Sequence, residues 1–129
     1  MRVIDSSALV RYFSKEEGWE RVEQYVLDSV TVTLAISEVG NSLRKKVLKQ
    51  EIQQKIANEI LVKYAKKVLL LHDEEYVNTA FQTSSLNDIN FYDSMFIAAC
   101  MEESFELVTC DGNQARVARN LGIGVIELT

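Results

Sequence analysis

Five short apolar runs, each separated from the next by stretches with helical spacing, constrain this chain more than any other feature. They occupy residues 3–4, 30–34, 68–71, 107–110 and 125–128 and are rich in β-branched side chains, which predicts short buried strands. Between them apolar residues recur at helical intervals. Leu9, Val10 and Phe13 form one group; Trp19, Val22 and Val26 follow after Gly18. A helix capped by Ser37 is expected to carry Glu38, Val39, Leu43 and Val47. Ile52, Ile56, Ile60, Tyr64 and Val68 recur at every fourth residue of the next helix. Later helices are expected over 74–84, 91–103 and 113–121, with a polar loop over 85–90. Strands alternating with helices predict an α/β fold with a parallel sheet. With no proline, repeat or low-complexity linker, residues 1–129 read as a single domain.

A length of 129 residues, 47% hydrophobic and 26% charged, suits a soluble globular protein with its own core. No apolar run approaches the length of a membrane span, and the N-terminus lacks the apolar core of a secretion signal. The two cysteines, Cys100 and Cys110, are too few for a disulfide framework and lack metal-site spacing, so a cytoplasmic setting is expected.

A net charge of −5 argues at first against a nucleic-acid partner. Its distribution matters more. Residues 44–67 hold eight basic side chains, among them Arg44, Lys45, Lys46 and Lys49, against two acidic ones. An acidic body with one basic segment points toward phosphate, although most charge runs are solvated helix faces.

Four acids sit where strands end or helices begin. Asp5 stops the first apolar run, and Ser6 and Ser7 are good N-cap residues for a helix starting at Ala8, which leaves the Asp5 side chain free. Asp111 repeats that pattern after the fourth run, where Asp-Gly also reads as an ordinary turn. Asp93 lies at a helix start in line with Phe96, Ile97 and Cys100, on the side facing the core. Glu38 is the least distinctive, since a glutamate in a first helical turn is common. Each residue alone has an ordinary explanation as a cap or turn. Four of them on one small sheet raise a different question.

The residues Ile4-Asp5-Ser6-Ser7-Ala8-Leu9, Ser37-Glu38-Val39, Tyr92-Asp93 with Ala98-Ala99, and Val108-Thr109-Cys110-Asp111 carry a resemblance to the PIN-domain ribonucleases. The resemblance is strongest to the VapC-type toxins of toxin–antitoxin pairs. It extends from Val3 to about Gly122. It implies a three-layer α/β/α fold with a five-stranded parallel sheet ordered 3-2-1-4-5, with the ends of strands one and four side by side. It assigns Asp5, Glu38, Asp93 and Asp111 as catalytic metal ligands, with Asp5 and Asp93 as the principal ones. Ser6 and Thr109 match supporting polar positions. A further acid just beyond Asp111 is absent, and Asn113 stands there as a weak or water-mediated substitute.

The implied activity is endoribonucleolytic cleavage dependent on Mg²⁺, with Mn²⁺ as an alternative. Such hard ions suit an all-oxygen donor set and relieve the repulsion among converging carboxylates. Setting the four acids aside leaves 15 of the 19 acidic residues against 14 basic ones, so the overall charge no longer opposes RNA binding. Arg44, Lys45, Lys46 and Lys49 are then candidates for the RNA backbone. The resemblance also implies a homodimer and a small VapB-like antitoxin partner. The competing reading from another class is a PIN-like binding or assembly module without catalysis. A nucleophilic-aspartate phosphatase fits poorly, because Ser7 stands where its second acid would be. His72 and Cys100 are expected to be structural, and Cys110 lacks the cationic neighbours of a reactive thiolate. The nuclease reading requires the four carboxylates to converge.

Overall fold

The structure is a computed structural model that describes residues 1–129. Five strands, β1 (Arg2–Ile4), β2 (Ser29–Val32), β3 (Leu69–Leu71), β4 (Glu106–Thr109) and β5 (Val125–Glu127), form one sheet. It is parallel throughout, in the order β3-β2-β1-β4-β5. Val3 pairs with Val30 on one side and with Leu107 on the other, and Ile4 pairs with Val108. The chain therefore leaves β1 in one direction and β4 in the other, which makes the carboxyl ends of these two strands the topological switch point. The main-chain N–H of Asp5 donates to the Val108 carbonyl at 3.0 Å, extending the ladder one residue beyond β1.

Seven α-helices cover the sheet: α1 (Ser6–Phe13), α2 (Trp19–Val26), α3 (Leu34–Leu48), α4 (Gln54–Lys67), α5 (Val77–Leu86), α6 (Phe91–Glu103) and α7 (Gly112–Asn120). The helices pack in two groups, α1–α4 and α5–α7, on either side of the sheet, giving three layers. A core of 28 buried residues is built on Val3, Ile4, Leu107 and Val108. No helix is long and apolar enough to cross a membrane.

Helix starts differ from the sequence reading in instructive ways. Helix α1 begins at Ser6 rather than Ala8, and its N-cap is Asp5, not Ser6 or Ser7. The second strand stops at Val32, and α3 starts three residues before Ser37. Its first turn is held from a distance: Asp73 accepts the Leu34 N–H at 3.0 Å. Helix α4 starts after Ile52, and its buried positions are Ala57 and Tyr64, whereas Ile56 is exposed. Residues 73–75 form a short 3-10 turn before α5, which continues through Ser85 to Leu86. In α5 Ala80 and Thr83 face inward, while Val77 and Phe81 face outward.

Helix α6 departs furthest from a one-sided stripe. Every residue from Ser94 to Cys100 is buried, because the helix lies against β1, β2 and β4 and is flanked by α5 and α7. A helix buried all round cannot single out Asp93 by periodicity.

Candidate functional site

The four acids are gathered at the switch-point edge. Asp5 is 1% exposed, and both its carboxylate oxygens accept hydrogen bonds. Oδ1 accepts the Ala8 N–H at 3.1 Å and the Ser7 hydroxyl at 2.6 Å; Oδ2 accepts the Thr109 hydroxyl. Burial pushes its carboxyl up from 3.8 to about 6, and the negative charge of Asp111 adds to the rise. The hydrogen bonds from Ser7, Thr109 and Ala8 oppose that rise without cancelling it.

Two hydroxyls bind the adjacent strand ends through this carboxylate. Thr109, fully buried, also accepts the Asp111 N–H at 2.9 Å. Ser7 accepts the Cys110 N–H at 2.9 Å. Asp111 in turn caps α7, its Oδ1 accepting the N–H groups of Asn113 at 2.9 Å and Gln114 at 3.1 Å. Asp5 and Asp111 thus do the same local work on α1 and α7.

Glu38 and Asp93 enter on helices. Ser6 donates to Glu38 Oε1 at 2.7 Å, fixing which side of α3 looks toward the site. Asp93 sits in the first turn of α6, where Asn90 accepts its N–H at 2.8 Å and donates back to Oδ2 at 3.2 Å. Burial raises both carboxyls. Asp93 adds to the rise at Glu38, and Asp111 adds to the rise at Asp93. The acids therefore feel one another in sequence: Asp5 with Asp111, Asp111 with Asp93, Asp93 with Glu38. None of the four forms an ion pair with Lys, Arg or His. Glu38, Asp93 and Asp111 each keep one carboxylate oxygen without a hydrogen-bond donor.

This donor set suits a hard divalent cation in chemistry, being all oxygen and without a competing cation. In spacing it is gathered but not closed, since no three acid, histidine or cysteine side chains stand close enough to hold an ion as they are.

The remaining residues singled out from sequence divide clearly. Ser6 and Thr109 bond directly to site acids. The Asn113 amide instead donates to the Asp88 carbonyl at 3.2 Å and accepts from Arg116 at 2.5 Å. Arg44, Lys45 and Lys49 are exposed, whereas Lys46 is drawn toward Glu16 at 3.7 Å and Glu51 at 3.8 Å. His72 is exposed beyond β3. Burial pushes the Cys100 thiol up to about 12, consistent with packing; the Cys110 thiol is raised by burial too, but Arg11 opposes the rise, a cationic neighbour that the sequence reading did not expect.

Two supporting residues escape sequence reasoning. Ser7 reads locally as a helix cap, but its hydroxyl is committed to Asp5 and to the neighbouring strand. Gln114 is 2% exposed and donates from Nε2 to the main-chain carbonyl of Asp93 at 2.7 Å, tying α7 to the first turn of α6. The Asp-x-x-Gln spacing of 111–114 is a capping-box signal, yet the glutamine reaches across to another helix. Gln114→Leu should lower stability by about 1 kcal/mol, the worth of one intramolecular hydrogen bond. Urea denaturation measures it, and an unchanged midpoint would show the bond to be dispensable.

The chain matches the PIN domain family over residues 2–120. It belongs to that family. Solved structures of similar fold include PAE2754 from Pyrobaculum aerophilum, with a TM-score of 0.78 at 21% identity, covering 98% of this PIN domain and 89% of that chain. FitAcB from Neisseria gonorrhoeae aligns with a TM-score of 0.62 at 19% identity, covering 98% and 97%. VapBC2 from Rickettsia felis, bound to a DNA fragment from its promoter, aligns with a TM-score of 0.66 at 12% identity, covering 99% and 98%. At these identities the likeness is one of fold. No curated protein matches by sequence. Within the PIN domain, Asp5 and Asp111 stand at the carboxyl edge of β1 and β4, and Glu38 and Asp93 on the adjoining helices.

Proposed function

We propose that this PIN domain is a metal-dependent endoribonuclease and the toxin of a toxin–antitoxin pair. One observation carries the nuclease reading. Four acids lie along the switch-point edge, each within electrostatic reach of the next, with no cationic side chain paired to them and with hydroxyls and helix starts ordering them. Asp5, Asp93 and Asp111 would hold Mg²⁺ or Mn²⁺, with Glu38 as a further ligand or as the group that orients the attacking water. Divalent cations bound there would supply an activated water and charge stabilisation for in-line attack on phosphorus. Thr109 and Ser7 keep Asp5 oriented, Ser6 does the same for Glu38, and Gln114 holds the Asp93 turn against α7. The toxin assignment draws support from the fold neighbours, which include a toxin–antitoxin complex from Klebsiella pneumoniae. With it come a small antitoxin partner, a homodimer and a cytoplasmic setting.

The test is cleavage of single-stranded RNA by purified protein. Cleavage should require added Mg²⁺ or Mn²⁺, stop with chelator and disappear in Asp93→Asn with the fold intact by circular dichroism. Cleavage that persists in chelator, or in that variant, would sink the assignment. Absence of any cleavage would favour a PIN-like binding module.

A further inference from the structure

We infer that α3 carries the substrate backbone away from the acids along one stripe, with Lys45 and Lys49 each gripping a phosphate of single-stranded RNA. The inference rests on the nuclease reading and adds the path of the polynucleotide to it. Ser6 holds Glu38 at 2.7 Å, so the side of α3 that faces the acids is known. At 3.6 residues per turn, positions seven and eleven beyond Glu38 return to within about 20° of its direction. Those positions are Lys45 and Lys49. At 1.5 Å per residue they lie about 10 Å and about 16 Å further along the axis. Asn41 and Ser42 fill the intervening turn, so the stripe is polar from the acids to the helix end.

Both lysines are exposed and neither forms an ion pair. The other two cations of residues 44–49 are directed elsewhere. Lys46 points off the stripe toward Glu16 and Glu51. Arg44 turns about 120° away, lining a cavity between α3 and α4 with Asn58 and Leu61. Of the four cations of residues 44–49, two therefore remain as free point charges on the site's own stripe. An ammonium is a compact charge that accepts a phosphate in many orientations, which suits sequence-independent grip on a flexible strand. Phosphate contacts of this kind release counterions and leave a salt signature.

The experiment measures binding of a fluorescent single-stranded RNA oligonucleotide by anisotropy over a salt series, with Asp5→Asn protein so that the RNA stays whole. Adding Lys45→Gln and Lys49→Gln should reduce the slope of log affinity against log salt by about 1.4, at about 0.7 per lost contact. Lys55→Gln with Lys66→Gln removes equal charge from α4 and should leave the slope in place. An unchanged slope in the α3 double variant overturns the inference, including the case in which that variant instead loses a co-purifying protein. An equal fall in both double variants also overturns it, because the effect would then be net charge alone. RNA cleavage by the wild type is scored separately. A reduced slope without wild-type cleavage keeps the track and rejects the nuclease, whereas cleavage with an unchanged slope does the reverse.

Discussion

Asp5→Asn is expected to abolish metal-dependent cleavage while making the metal-free protein more stable at neutral pH. Losing an outer-shell partner of a metal ligand typically costs about 10–100-fold, so loss of a principal ligand should exceed about 100-fold. The stability gain follows from burial. The Asp5 carboxyl titrates near 6 in the folded chain against an ordinary 3.8, so the folded state holds its proton more tightly than the unfolded state. Stability from that proton is fully present below 3.8 and is lost as pH rises through about 6. At about 1.4 kcal/mol per pH unit, the full change is on the order of 3 kcal/mol. Glu38 and Asp93, also raised by burial, push in the same direction. Metal-free wild type should therefore gain stability between pH 7.5 and pH 5, and Asp5→Asn should remove most of that gain. Guanidinium unfolding at the two pH values measures it. Equal pH dependence in the two proteins would mean that Asp5 is not the buried titrating group. Added Mn²⁺ should stabilise the wild type at pH 7.5, since a ligand that binds the folded state shifts the balance by mass action.

The capping of α1 by Asp5 also marks where sequence reasoning reaches its limit. Alternating apolar runs and helical stripes were enough for all five strands and for the parallel sheet, because each run is short, β-branched and bounded by polar residues. Asp5 and Asp111 were visible as strand-end acids for the same reason. The expectation that Ser6 or Ser7 caps α1 is the one the structure overturns. Local preference favours serine as an N-cap, but Ser7 lies beside β4 and spends its hydroxyl on Asp5 and Cys110, leaving the Asp5 carboxylate to cap α1. That outcome depends on two strands 104 positions apart in sequence lying side by side. The start of α3 failed similarly, since its first N–H is held by Asp73 from beyond β3. The apolar stripe that singles out Asp93 in the sequence is made uninformative by the all-round burial of α6. The coupling of Asp93 to Asp111 and Glu38 is a property of the assembled edge.

Thr109→Val should expose how far the two strand-end acids depend on one hydroxyl. The side chain is fully buried, donates to Asp5 and accepts the Asp111 N–H at 2.9 Å. Valine keeps the shape and removes both bonds, so Asp5 loses a donor to its charged form and a buried N–H loses its acceptor. Each unsatisfied group costs about 1–3 kcal/mol, more where a charge is involved, which sets the expected loss at about 2–5 kcal/mol near pH 7.5. The Thr109 bond holds the Asp5 carboxyl down against burial, so its removal raises that carboxyl further. The variant should therefore lose less stability at pH 5, where Asp5 is protonated, and show a steeper pH dependence than wild type. Thr109→Ser restores the hydroxyl and should recover all but about 1 kcal/mol, the cost of one missing buried methyl. In the proposed nuclease Thr109→Val should weaken Mn²⁺ affinity by about 10–100-fold, as expected for a group that orients a ligand. A valine variant as stable as wild type at pH 7.5, with the same slope against pH, would show that the hydroxyl does not sustain the charged form of Asp5. Asp5 and Asp111 would then be independent caps that happen to share an edge.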